Sequence, residues 1–238
     1  MHRTRRLAPW LSAIAVLLLA AAGPGTRLGL WDFRTGFLLL RLGAYLGLGG
    51  AGLGLVGLLW RPAGSRLWPP LVAIGLGAVA ALVPWTWMQQ ARRVPPIHDI
   101  TTDTERPPEF VAVLPLRSGA PNSAEYGGEE VAAQQRAAYP DVVPLRLDRA
   151  PAEAYARALA AARESGWEIV AADSAAGRIE ATATTGWFGF KDDVVIRVTP
   201  EGTGSRIDAR SVSRVGGSDV GANAKRIRDF LGRTRRGG

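Results

Sequence analysis

Three apolar segments occupy most of the first 88 residues, and they constrain what this chain can fold into more than any other feature. Leu7–Ala22 carries no charge over 16 residues. A hydrocarbon core ~30 Å thick takes ~20 helical residues, so this segment needs interfacial neighbours to span. It also reads as a secretory signal peptide, with His2–Arg6 as the basic region and Ala20-Ala21-Ala22 as the small-residue cleavage site. The uncleaved helix is the reading carried forward. The second segment runs over 36–60. Its one charge, Arg41, lies near the start, where a long side chain reaches the headgroups. The third runs over 67–88, with Pro69 and Pro70 in its first turn, where missing backbone donors cost little. Trp60, Trp68, Trp85 and Trp87 sit where an interfacial aromatic belt belongs.

Glycines punctuate the second segment at 43, 47, 50, 54 and 57. Spacings of four and three put all five on one stripe of a helix. Such a stripe lets another backbone approach closely. Gly43, Gly47, Gly50, Gly54 and Gly57 are therefore expected to pack against a neighbouring helix of the same chain, with self-association as the alternative.

Charge sorts the rest. The net charge of +8 suggests a nucleic-acid binder only until it is located. Residues 1–96 hold ten arginines against the single acid Asp32, whereas residues 97–238 hold 19 basic and 20 acidic residues. The excess flanks apolar segments, where it orients helices in a bilayer. A near-neutral remainder offers no general phosphate-binding surface, so nucleic acid is not an expected partner. Arg3, Arg5, Arg6, Arg61 and Arg66 share one side if there are three spans. Arg27, Arg34, Arg92 and Arg93 share the other, with Arg41 at the border. The cluster before the first helix tips the N-terminus inward. Three spans then place the remainder outside, which means a multi-pass protein of the bacterial inner membrane with a periplasmic domain. Cleavage of a signal peptide leads to the same side.

Residues 94–109 are rich in proline, threonine and acids and read as an extended linker between a membrane region (1–93) and a soluble domain (110–238). A short apolar run over 110–116, a loop over 122–128 and a helix-compatible stretch over 129–138 follow. Then the pattern becomes regular. Val142–Leu147 is a strand candidate and Pro151–Ser165 a helix ended by Gly166. Strands are expected over 167–172, 177–185, 188–198 and 205–215, with a turn over 200–204. Ser218 or Asp219 caps a final helix to about Leu231. The fold class is α+β. Transmembrane helices precede an antiparallel-sheet domain of order β-α-β-β-β-β-α, with both helices on one face. That order is shared by helix-grip and TATA-box-binding-protein-like arrangements.

Several strings occur in a distinctive succession: EYGGEEVAAQQRAAYPD, GWEIVAADSAAGRIEATATTGWFGFKDDVVIRV and RIDARSVSRVGGSDVGANAKRIRDFL. Over roughly residues 95–232 the chain resembles the domain of unknown function 1499 family, in its membrane-anchored bacterial form. The resemblance implies an exported or membrane-anchored domain. It brings no catalytic roles to carry over.

Alternation along the strands puts Ile179, Ala181, Ala183, Val194, Ile196, Val198, Ile207 and Ala209 on a buried face. Arg178, Glu180, Thr182, Thr184, Arg197, Arg206, Asp208, Arg210 and Arg214 fall on the other. This second face is read as solvated and laced with cross-strand ion pairs. Its functional alternative is an arginine-lined surface for an anionic head group. The turn before Lys191, Asp192 and Asp193 sets charges beside Trp187 and Phe188. Paired carboxylates perform acid–base work, but neighbours on a strand point to opposite faces. Asp219 and Asn223 open the last helix, whose free N–H groups suit an anion. The candidate ligand-binding residues are thus Lys191, Asp192, Asp193, Arg197, Arg210, Arg214, Asp219 and Asn223. No catalytic residue, metal ligand or cofactor is singled out. The chain has no cysteine, which removes disulfides and thiolate ligands.

Together these features point to a membrane-anchored, non-enzymatic binding domain. Its expected partners are the lipid bilayer itself and a lipid, an envelope component or another protein. The competing readings are a hydrolase or transferase using Asp192 or Asp193 with arginines, and a structural subunit of a membrane complex.

Overall fold

Each apolar segment folds as one continuous helix in the computed structural model, which describes residues 2–237. Helix α1 is His2–Arg27, α2 is Phe33–Leu59 and α3 is Trp68–Arg92. All three are long and apolar enough to cross a membrane. The carboxylate of Asp32 caps α2 by accepting from Thr35 N at 2.9 Å, meeting one of the free donors of a helix start.

The glycine stripe of α2 is buried at Gly43, Gly47, Gly50, Gly54 and Gly57. Two of these glycines meet α1. A methyl group at Gly43 would lie 3.0 Å from Ala15 O, and one at Gly50 would collide with Ser12 Oγ. Two others meet α3, where a methyl at Gly47 or Gly54 would lie 2.8 Å from Ala80 Cβ or 3.0 Å from Ala73 Cβ. The stripe thus receives two helices of its own chain. Ser12 Oγ donates to Ala73 O at 2.8 Å and ties α1 to α3, the kind of interhelical bond that apolar surroundings favour.

After α3 come strand β1 (Asp99–Thr101), a 3-10 turn (Leu114–Arg117), helix α4 (Gly128–Ala138), strand β2 (Leu145–Leu147) and helix α5 (Pro151–Glu164). Strands β3 (Glu168–Asp173), β4 (Arg178–Thr184), β5 (Lys191–Glu201) and β6 (Gly204–Ser213) then lead into helix α6 (Ala222–Arg236). From β2 onward the order is β-α-β-β-β-β-α, and the class is α+β. The sheet runs β1-β6-β5-β4-β3, antiparallel throughout, and β2 also pairs with β6. β1 lies beside residues 210–212 and β2 beside residues 205–207, so together they cover the outer edge of β6.

β1 lies within the stretch expected to be a linker, and all three of its residues are buried. Its outward edge is closed by Gln135 of α4. The Gln135 amide accepts from Thr101 N and donates to Thr101 O, as a neighbouring strand would. This long-range partner is what turns a polar, proline-flanked string into a strand. β5 starts at Lys191 rather than 188, because residues 186–189 form a turn with Gly189 at φ +70°. The final helix continues past Leu231 and takes the basic tail with it. Arg233, Arg235 and Arg236 lie in its last turn, where positive charge complements the helix dipole.

Ile179, Ala181, Ala183, Val194, Ile196, Val198, Ile207 and Ala209 pack in one core with Ala154, Ala158 and Ala161 of α5 and Ile227 and Phe230 of α6. Both helices therefore cover the same sheet face. Alanines at i, i+4 and i+7 put small methyl groups on the face of α5 that meets this core. Trp167 and Phe230 fill the remaining space with rings 5.3 Å apart.

The chain divides into two compact units. One takes in the residues up to Gln90 together with Gly186–Gly189, and the other takes in Ala91–Thr185 and Phe190–Gly238. Within the first, the Trp187 ring lies 4.7 Å from Trp87 and the Phe188 ring 5.2 Å from Phe37.

Candidate functional site

The middle of the sheet's polar face is buried, while Thr184 at its rim stays exposed. Glu180, Thr182, Asp193, Asp208 and Arg210 are all buried, because residues 102–126 fold across them. This covering segment has little regular structure, so its own backbone groups need partners from elsewhere. The sheet supplies several. Glu180 Oε2 accepts from Val111 N and Val113 N, both at 3.0 Å. Arg210 donates to Pro108 O and Ala124 O. Phe110 and Val113 add an apolar contact with Val195 and Val212.

Three clusters of charge fasten the segment. Arg117, on its 3-10 turn, donates to Asp193 Oδ2 at 2.6 Å. Asp193 also accepts from Thr182 Oγ1 at 2.8 Å and from Arg214 Nε and Nη2 at 2.9 and 2.8 Å. Burial alone would raise the Asp193 pKa, but the bonds from Arg214, Thr182 and Arg117 outweigh it and hold the carboxyl below its usual value. In the second, Arg210, which holds the segment through Pro108 O and Ala124 O, is itself fixed by a bidentate pair with Asp99 of β1 at 3.0 and 2.7 Å. In the third, Arg197 and Arg206 each bridge Asp103 and Asp208.

A cavity of about 600 Å³ opens between this segment and the sheet. Phe110, Leu114, Arg117, Tyr126 and Arg210 line it, with Glu109 and Glu125 also on its wall. The Arg210 guanidinium stacks on two rings, 5.0 Å from Phe110 and 5.5 Å from Tyr126. Two polar atoms of the lining residues, Arg117 Nε and the Tyr126 hydroxyl, are buried without a hydrogen-bond partner in the protein. The Tyr126 pKa is pushed up to about 12, first by burial and then by the nearby Asp99 charge. Its hydroxyl is therefore a proton donor at any physiological pH. Val111, Leu114 and Leu116 expose apolar side chains on the same segment.

The residues singled out from the sequence do not form one site. Lys191 is exposed at the start of β5. Asp192 turns toward α6 and pairs with Arg226, while Asp193 turns the other way toward Arg117. Asp219 accepts from Gly221 N and Asn223 N, which makes it a structural cap for α6. Asn223 joins Ser211, Ser213 and His98 O in a buried network on the helix side. Arg197 and Arg214 are held in their ion clusters. Of the eight, Arg210 lines the cavity beside Phe110 and Tyr126, and Arg197 lines a separate one between residues 105–109 and the sheet. Phe110 and Tyr126 lie in strings read as an apolar run and a loop, and Arg117 falls between the two. The available signal was length, since some 25 residues without regular structure inside a compact domain usually have a function of their own.

Residues 99–233 match the family described as Protein of unknown function (DUF1499). The chain belongs to that family. The match begins at the first residue of β1, so the DUF1499 region takes in the covering segment, both sheet faces and nearly all of α6. Helices α1–α3 precede it. No curated protein matches the chain.

Proposed function

We propose that this DUF1499 protein is a membrane-anchored binding protein whose cavity under residues 107–126 holds one amphiphilic ligand. The observation that carries the reading is the pair of buried, unpartnered donors at the cavity, Arg117 Nε and the Tyr126 hydroxyl. A buried donor without an acceptor costs ~1–3 kcal/mol. A ligand oxygen (carbonyl, carboxylate or phosphate) relieves that cost, while Phe110 and Leu114 receive an apolar body. A lipid or envelope component has this composition. The volume is also within the ~300–1,000 Å³ range of small-molecule sites.

The anchor is read as three spans in the bacterial inner membrane, with the DUF1499 domain on the periplasmic side. The arginine distribution supports this orientation. Asp193 acts here as the anion that holds the covering segment, since both its oxygens are engaged by arginine and threonine donors. Hydrolysis or group transfer through Asp193 would first require those bonds to be released, so binding is the better-supported reading.

Native mass spectrometry of the full-length chain in mild detergent tests it. The expected result is a reproducible small-molecule adduct that survives extraction and is lost in Leu114→Trp, which fills the cavity. Tyr126→Phe should lower the occupancy while leaving the melting temperature equal or higher, because it removes an unpaired hydroxyl. Bare protein in every preparation, or an adduct indifferent to both substitutions, would overturn the proposal.

A further inference from the structure

A second cavity, of about 770 Å³, lies wholly within the helical unit. Trp10 of α1 and Trp68 of α3 line it, and both are exposed, at 71% and 58%. Ser65 and Arg66 of the α2–α3 connection line it too, as do Val72 and Leu76 of α3. Leu76 follows Trp68 by eight positions on α3, and a helix rises ~1.5 Å per residue, so the lining extends ~12 Å down the helix from the tryptophan. The cavity therefore has a polar, cationic end at the connection, a tryptophan belt beside it and an apolar end beyond.

The single acid among the first 96 residues is Asp32. It caps the start of α2, whereas the cavity meets α2 at Gly57, near its end. Twenty-five helical positions separate them, a distance of ~38 Å, several times the ~8–10 Å Debye length of physiological salt. Arg61 follows that end of α2 directly. Ser65 Oγ is buried with no partner in the protein, so a donor is already in place beside the Arg66 guanidinium.

We propose that this groove is a binding site for one anionic phospholipid, with its phosphate at Arg66 and Ser65 and an acyl chain along Val72 and Leu76. The inference rests on reading α1–α3 as membrane spans. It is independent of the ligand held by the DUF1499 domain.

The test is native mass spectrometry of the full-length chain titrated separately with phosphatidylglycerol, phosphatidylcholine and free glycerol 3-phosphate. The expected outcome is a single-lipid adduct with phosphatidylglycerol favoured about tenfold, equivalent to ~1.4 kcal/mol. Arg66→Gln should abolish that preference. Val72→Trp, which keeps every charge, should weaken both lipids together. Glycerol 3-phosphate should neither bind nor compete. Equal occupancy by the two lipids, or an unchanged preference in Arg66→Gln, would sink the site. Competition by glycerol 3-phosphate at lipid concentrations would show a phosphate site rather than a lipid site. Carbonate extraction of membranes separates the two layers of inference. Release of the chain overturns the spans themselves, whereas a carbonate-resistant chain without lipid preference overturns the groove alone.

Discussion

Arg117 and Asp193 stand 76 positions apart in the chain, yet Arg117 Nη1 lies 2.6 Å from Asp193 Oδ2, and both side chains are almost wholly shielded from solvent. The pair joins a stretch of irregular backbone to the middle of a β-sheet. It holds the covering segment on a part of the sheet face that would otherwise be wet.

Asp193→Asn should be strongly destabilising. It removes the anion that buried Arg117 and half-buried Arg214 share, and breaking one member of a buried charge cluster typically costs ~3–5 kcal/mol. The loss should be local first. Hydrogen exchange in the full-length protein is expected to show reduced amide protection across residues 102–126, ahead of any change in α5 and α6. Unchanged protection there would mean that the segment is held by its apolar contacts instead.

Gln135→Leu should expose the weakness of β1. The substitution is close in volume but leaves Thr101 N and Thr101 O without partners in a buried position. Each unsatisfied group costs ~1–3 kcal/mol. Faster exchange at residues 99–103 and a lower midpoint in urea are the expected readouts, and Gln135→Glu should recover only the acceptor half.

Two carboxylates give opposite signs against pH. The Asp193 pKa is held below its usual value in the folded protein, so its contribution is present above the unfolded carboxylate pKa of ~3.9 and is lost as pH falls through the lower, folded value. The Asp219 pKa is raised, chiefly by burial. Folding therefore carries a penalty for the charged form above that raised value, and the penalty is relieved as pH falls toward the unfolded one. Asp219→Asn should flatten the stability profile just above the ordinary carboxylate range while leaving the acid limb set by Asp193 in place. Urea midpoints at closely spaced pH values would show both limbs, and a profile identical to the parent protein would refute the assignment to Asp219.

Local periodicity was enough for much of this architecture. The alternation through Ile179, Ala181 and Ala183 named the helix-facing side of the sheet, because a pleated strand sends every second side chain to the same core. The glycine spacing from Gly43 to Gly57 marked the side of α2 on which other backbones come close, because a helix brings positions three and four apart onto one stripe. The opposite alternation, through Arg178, Glu180 and Thr182, was equally regular and was read as a solvated surface. A charged residue in water and a charged residue paired in a buried layer leave the same mark in a sequence.

What the sequence by itself determined is therefore the set of elements whose partners are local: three apolar helices, an alanine-rich helix, four consecutive strands and their inward faces. Tertiary structure alone decided what happens to polar groups that need distant partners. Asp99, Asp103, Arg117 and Tyr126 lie in strings that look like linker or loop, and no periodicity marks them. Their role follows from the cost of burying charge and backbone without partners, which the fold meets by laying residues 102–126 across the arginines and carboxylates of β4, β5 and β6.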